Sequence, residues 1–425
     1  MKSIPTNEQK IFLNLYFQLH QPRRISSFGF FDIGKEKSFF DDELNEKIIR
    51  RVALNCYQPA NLMFLDLIRR FPQTRITFSI SGVALEQLNK YAPEVIDSFR
   101  KLAATGAVEF LGETYYHSLA CLFSEREFIR QVKKHRQVMG EVLGITPTVF
   151  RNTELIYDDR VGRWIKKLGF RGVYVDGIEK VLQHHQPDRL YEHIDGNGLN
   201  LFLRNYSLSD DIAFRFSNHQ WKEWPLTAEK YFLWLQGDGA GERLVNLGLD
   251  YETFGEHQKV GTGIFQFMES VIAAVAKSKK IRMVTPAEAM AVLKPEDRIS
   301  VPTPVSWADK ERDLSAWLGN DLQRDAFDTL KSLEKNIAGL KDPTLENSWS
   351  YLQTSDHFYY MSTKKGDDGK VHHYFSPYPS PYEAFINYMN VLSDLTLRVK
   401  YKRKLKSAPK PVIERKILQR KLMVN

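Results

Sequence analysis

Apolar and polar positions alternate in blocks along the first three hundred residues. Short apolar runs recur at Ile11 to Phe17, Arg75 to Ile80, Ala107 to Leu111, Pro147 to Phe150, Gly172 to Val175, Asn200 to Leu203 and Leu244 to Leu249. Each is strand-length. Between several of them apolar residues fall at spacings of three and four, which predicts helices over Ala84 to Lys90, Pro93 to Ala104, Glu125 to Leu143 and Asp159 to Lys167. Strands that alternate with helices pair in parallel, because each helix carries the chain back to the starting edge of the sheet. Beyond Pro302 and Pro304 the pattern turns helical. One helix is predicted within Lys310 to Ile337, with Leu314, Trp317, Leu318, Leu322, Ala326, Leu330 and Leu333 on one stripe. A second is predicted over Pro343 to His357 and a third from Pro381 through Leu395, with Lys364 to Lys370 a polar, Gly-rich loop before it. The chain thus divides into a β/α region over 1–300, a helical bundle over 301–398 and a tail over 399–425.

The residues that follow each strand carry the next inference, since a β/α barrel builds its site from the C-terminal strand ends. They are His20 and Gln21, Ser79 and Ser81, Glu113 with His117, Glu154, Asp176, Arg204 with Asn205, and Asp250 with Glu252. Polar side chains at seven successive exits, several of them carboxylates, predict a polar cavity at one mouth.

Composition changes this picture little. With 43% hydrophobic and 12% aromatic residues, the 425-residue chain can bury a large core. No run reaches the roughly 18 apolar residues of a membrane span, and the first ten residues lack a signal-peptide core, so a cytoplasmic protein without a membrane partner is expected. Cys56 and Cys121 have no metal-site spacing and read as buried small hydrophobes. The net charge of +8 is local: eleven Lys or Arg residues against Glu414 between Arg398 and Lys421 leave the rest at −2. The basicity belongs to the tail, read as a solvated helix or end, and no nucleic-acid partner is expected.

Two carboxylates on separate strand ends, Glu154 and Asp250, fit the division of labour in glycosidic cleavage, where one acid stays ionised and the other holds a proton. Metal-dependent deacetylases and mannosidases share barrel architectures, but they need an Asp and His cluster. His184-His185 offers no such spacing, so neither a metal nor a cofactor is expected. Gly237 to Glu242 lacks the ending of a phosphate loop and reads as a turn.

Taken together, the segments resemble a known family. His20-Gln-Pro22, Gly112-Glu-Thr-Tyr-Tyr-His117, Arg151-Asn-Thr-Glu154, Leu249-Asp-Tyr-Glu-Thr-Phe-Gly-Glu-His257 and Thr285-Pro-Ala-Glu288 look like the ordered motifs of glycoside hydrolase family 57, and the second resembles its α-amylase-like branch. The resemblance implies a (β/α)7 barrel with a helical C-terminal domain, acting on α-glucans or maltooligosaccharides with retention and without a catalytic metal. It places Glu154 on the family's nucleophile and Asp250 on its acid/base. It also places Glu113 and Glu252 on acids that hold sugar hydroxyls, His20 beside the reacting glucose, and Asp356, in Ser355-Asp-His-Phe358, on the helical domain's contribution. From the residues themselves, Arg151 is placed to keep Glu154 ionised, and His20 and His117 to donate to sugar hydroxyls. Trp221 and Trp307 are candidate stacking surfaces for pyranose rings, whereas Trp317 and Phe327 belong to a core stripe. A 4-α-glucanotransferase and a noncatalytic glycan-binding relative are the alternative readings.

Overall fold

A computed structural model describes residues 10–237 and 241–407. Residues 238–240 of the Gly237 to Glu242 turn and the distal basic tail lie outside the described residues. Seven strands, β1 (Lys10–Leu19), β2 (Ile76–Ile80), β3 (Val108–Leu111), β4 (Val149–Phe150), β5 (Gly172–Asp176), β6 (Asn200–Arg204) and β7 (Glu242–Asp250), close into a parallel barrel in chain order. The β3–β4 seam rests on main-chain bonds from Gly112 N to Val149 O and from Arg151 N to Gly112 O, both 2.8 Å. These are the seven apolar runs of the sequence. Three further strands are too short to read there: Leu190–His193 runs antiparallel to β6, Arg298–Ile299 pairs in parallel with Leu190–His193, and Ile281–Met283 runs parallel to β1.

Period-two alternation decides which side chains fill the lumen. Ile11, Leu13, Leu15, Phe17 and Leu19 of β1 join the layer under the surrounding helices, while Phe12 and Tyr16 belong to a separate inner cluster with Tyr174, Phe202 and Leu244. Gln18 is in register with Ser79 of β2 on one side and with Asp250 of β7 on the other. The lumen is therefore apolar at its base and polar at its C-terminal mouth. Gly248 leaves the space that Tyr16 occupies: a Cβ there would lie 2.1 Å from the Tyr16 ring.

Past the barrel, the helical prediction holds in kind but not in length. The single helix expected over Lys310 to Ile337 is three, Ser315–Leu318, Asp321–Ser332 and Glu334–Leu340. The break at Gly319-Asn320 comes from a capping box, in which Asn320 accepts from Gln323 N and the Gln323 side chain reaches back to Asn320 N. Pro343–Tyr351 ends early and a separate turn, Ser355–Tyr359, follows it. The expected loop at Lys364 to Lys370 is instead the start of a helix, Gly366–Phe375. The last helix, Pro381–Ser407, passes residue 398 without a break. Trp317 and Phe327 are buried, as are both cysteines. These helices share one apolar cluster with the β4–β6 side of the barrel, from Phe150 and Val173 to Trp349, Phe358 and Leu392. Among the described residues no helix is long and apolar enough to cross a membrane.

Candidate active site

Two stretches of chain far apart in sequence meet at the barrel mouth. Leu119 N donates to Gln353 O (3.1 Å) and Ser355 N to His117 O (3.0 Å), so the loop after β3 and the turn before Ser355–Tyr359 are zipped together. That contact brings His117 and Ser355 to Glu154. Both Glu154 (φ 55°) and His117 (φ 49°) adopt the left-handed conformation, as does Leu155 (φ 52°). Non-glycine residues hold such geometry only where surrounding contacts over-determine it.

The Glu154 carboxylate is held by three donors. His117 Nε2 and Ser355 Oγ each lie 3.1 Å from Oε1, and Trp307 Nε1 donates to Oε2 at 2.7 Å. Burial alone would raise its pKa, but the bond and charge from His117, together with Arg151, hold it below the usual carboxylate range. The other ring nitrogen of His117, Nδ1, faces Glu113 at 3.3 Å. A ring between two carboxylates donates from both nitrogens, so His117 is an imidazolium. Desolvation opposes the charge, yet bonds to Glu113 and Glu154 raise its pKa to about 9. Glu113 also accepts from Gln18 Nε2 (3.1 Å) and Ser79 Oγ (2.7 Å). Although it is fully buried, His117 and the more distant His135 and Arg151 lower it to about 2.

His20 stacks on His117, centroids 4.1 Å apart. Its Nε2 is 3.1 Å from Asp356 and its Nδ1 2.7 Å from Ser81 Oγ, a hydroxyl that already accepts from Ala84 N. One tautomer satisfies all four groups: Ser81 donates to Nδ1 and Nε2–H donates to Asp356. Burial and the His117 charge lower the His20 pKa and keep it neutral. All four ring nitrogens of the two histidines thus face protein partners.

Asp250 ends β7, and no described side chain donates to it. Burial first, and then the charge of Glu154, raise its pKa to about 6 against the opposing Arg151 and Arg204. Glu252 accepts from Tyr57 Oη and from Gln21 Nε2 (3.3 Å). Burial and Asp250 push it to about 8, so it carries a proton at neutral pH.

Arg151 does not bind the carboxylate directly. Its guanidinium is fully buried, lies 4.5 Å from the Trp307 ring centre, and has no hydrogen-bond partner on any of its three nitrogens among the described residues. Its influence on Glu154 is that of a nearby charge. Trp307 serves Glu154 through its N–H, with Arg151 4.5 Å and Arg204 5.3 Å from its ring centre. Below it, Arg204 donates to Asp176 (3.1 Å) and Asp210 (2.6 Å), and Arg312 bonds Asp210 (2.9 Å) and the Trp307 carbonyl. Trp221 does not join the cluster; its ring contacts are Arg215 and Trp234. Ser355 and Gln18 are contributors that the sequence does not single out. Gln18 carries a signal, being one of two buried amides, with Asn14, in a mostly apolar strand, whereas nothing in the sequence marks Ser355 apart from its place beside Asp356.

Known relatives bear on the family and the fold. The sequence profile of Glycosyl hydrolase family 57 matches residues 14–302. A Methanocaldococcus jannaschii protein named "Putative alpha-amylase" is 40% identical over 400 residues, 90% of this chain and 84% of that one. A family 57 branching enzyme from Pyrococcus horikoshii superposes with a TM-score of 0.65 at 15% identity, covering 86% of this chain and 88% of that one. The 4-alpha-glucanotransferase of Thermococcus litoralis does so at 0.61 and 16%, covering 83% of this chain and 56% of that one. The chain belongs to glycosyl hydrolase family 57, a family of glycoside-cleaving and glycoside-transferring enzymes.

Proposed function

We propose that the protein is a retaining, α-amylase-like hydrolase of α-1,4-glucans in which Glu154 is the nucleophile and Asp250 the acid/base. The observation that carries this is the divergence of two carboxyls in one mouth. Three donors keep Glu154 ionised, while burial and the Glu154 charge keep Asp250 protonated to about pH 6. The named relative at 40% identity supports the substrate class.

In the first step a Glu154 oxygen forms a bond to the anomeric carbon. The glycosidic C–O bond breaks, and the leaving oxygen takes the Asp250 proton. In the second, Asp250 removes a proton from water, whose oxygen displaces Glu154 and restores the starting anomeric configuration. Trp307, His117 and Ser355 hold the nucleophile's lone pairs in place, and Glu113 keeps His117 charged. Glu252 and Asp356 remain for sugar hydroxyls, the first as a protonated carboxyl able to donate.

The test is Glu154→Gln assayed on maltoheptaose beside the unmodified enzyme. A fall in turnover of about a thousandfold or more is expected; turnover within tenfold of the parent removes Glu154 as nucleophile. In the parent, reducing ends increase with time under hydrolysis and stay constant under transfer, so a flat count assigns the chain to the transferases instead.

A further inference from the structure

The segment between β6 and β7 carries an unusual amount of aromatic surface that the carboxylate cluster does not use. Phe214 and Trp224 are 61% and 42% exposed, and Tyr206 is 36% exposed. Beside them, Trp221 and Trp234 meet edge to face, with centroids 6.0 Å apart and planes at 73°. They wall a hollow of about 490 Å³ whose rim is polar: Ser207, Asp211, Arg215 and Glu223. Arg215 lies 5.7 Å from the Trp221 ring centre and is fixed there by Asp211 (2.6 Å) and the Ser207 carbonyl (3.0 Å).

The hollow is joined to the candidate active site through adjacent residues of one short stretch. Asp210 faces inward and binds Arg204 and Arg312, which support Trp307, whereas Asp211 faces outward and binds Arg215. Likewise Tyr206 sits 5.3 Å under Arg312, while Ser207 bonds Arg215. A ligand in the hollow therefore lies beyond the C-terminal end of β6, on the side where Glu154 follows β4.

Indole faces and a rim of carboxylates and guanidinium are what a pyranose chain requires, since its C–H faces stack on aromatics and its equatorial hydroxyls bridge charged planar groups. We propose that this hollow is an accessory α-glucan site, lying outside the carboxylate cluster, that retains long chains on the barrel rim and raises their concentration at the mouth. This rests on the functional reading above for the choice of glucan over another sugar polymer. It also gives Trp221 a place outside the catalytic cluster.

Affinity electrophoresis of the full chain carrying Glu154→Gln, through gels containing soluble amylose, reads binding without turnover. Turnover of maltotriose in the otherwise unmodified chain reads the mouth alone. Adding Trp221→Ala is expected to weaken amylose binding about five- to tenfold, with maltotriose turnover within twofold of the parent. Arg215→Ala, at a side chain over a third exposed, is expected to weaken it two- to fivefold and decides the matter should Trp221→Ala fail to fold. Unchanged amylose binding in both variants overturns the proposal, as does a parallel fall in maltotriose turnover. A drop in molar mass by light scattering with amylose binding intact also overturns it, by making the hollow a contact between copies of the chain. If the parent neither binds nor cleaves any α-glucan, the functional reading itself fails, whatever the variants do.

Discussion

At the scale of single residues, the site works by assigning protons. Glu154 needs to be ionised and Asp250 protonated, and their environments push them apart: below the usual range for one, to about 6 for the other. Activity is therefore expected to rise with pH through the low Glu154 value and to fall as pH passes about 6, where Asp250 loses the proton it must donate. A pH profile of kcat/KM checks this, and a plateau through pH 8 would remove Asp250 as the acid. Ser355→Ala takes away one of three donors to Glu154. The acid limb is then expected to move to higher pH with a three- to tenfold loss of kcat, while Ser355→Thr, which keeps the hydroxyl, restores much of it. The acids are legible in the sequence because polar residues close apolar runs. What holds them is less so. Gln18 and Asp250 face the lumen by strict alternation in β1 and β7, a pattern present in the sequence, but His117's bridge between two carboxylates depends on a left-handed backbone that no local pattern announces.

Elements set how far those residues can move. All seven barrel strands are visible in the sequence because strands buried on both faces read as continuous apolar runs. The breaks in the C-terminal helices are less visible, since a stripe at spacings of three and four runs on past Asn320 even though the capping box stops the helix there. The short turn Ser355–Tyr359 exists because Gln353 and Ser355 spend their main-chain groups on the barrel loop carrying His117 and Leu119. That partnership lies more than two hundred residues away and is set by tertiary contact alone. Between β1 and β7, Gly248 fits closely against Tyr16. Gly248→Ala is expected to cost about 1–3 kcal/mol by overpacking the lumen, read as a lower urea midpoint. Pairing it with Tyr16→Phe removes the hydroxyl, 2.3 Å from where the new methyl would sit, but leaves the ring at 2.1 Å, and so should recover only part of that loss. Full recovery would mean that the hydroxyl, not the ring, fills the space.

For the whole molecule, the question is whether barrel and helices can be separated. The two catalytic candidates belong to the barrel, so a chain ending near residue 302 would keep both. It would nevertheless lose Trp307 and Ser355, two of the three donors to Glu154, and Asp356, the partner of His20. It would also uncover Phe40, Tyr116 and Phe123, whose rings meet Tyr351, Phe327 and Trp349. A patch of that size on a free barrel favours aggregation. The expected outcome is that residues 1–302 give no cooperative thermal transition and no turnover of maltoheptaose, and that adding residues 303–425 as a separate chain restores neither. A fragment that unfolds cooperatively but turns over a hundredfold more slowly would point to the donors rather than the shared core as the decisive contribution. A fragment with full turnover would show that His117 and Arg151 suffice to keep Glu154 ionised, and that Trp307 and Ser355 of the helical region are dispensable to the nucleophile.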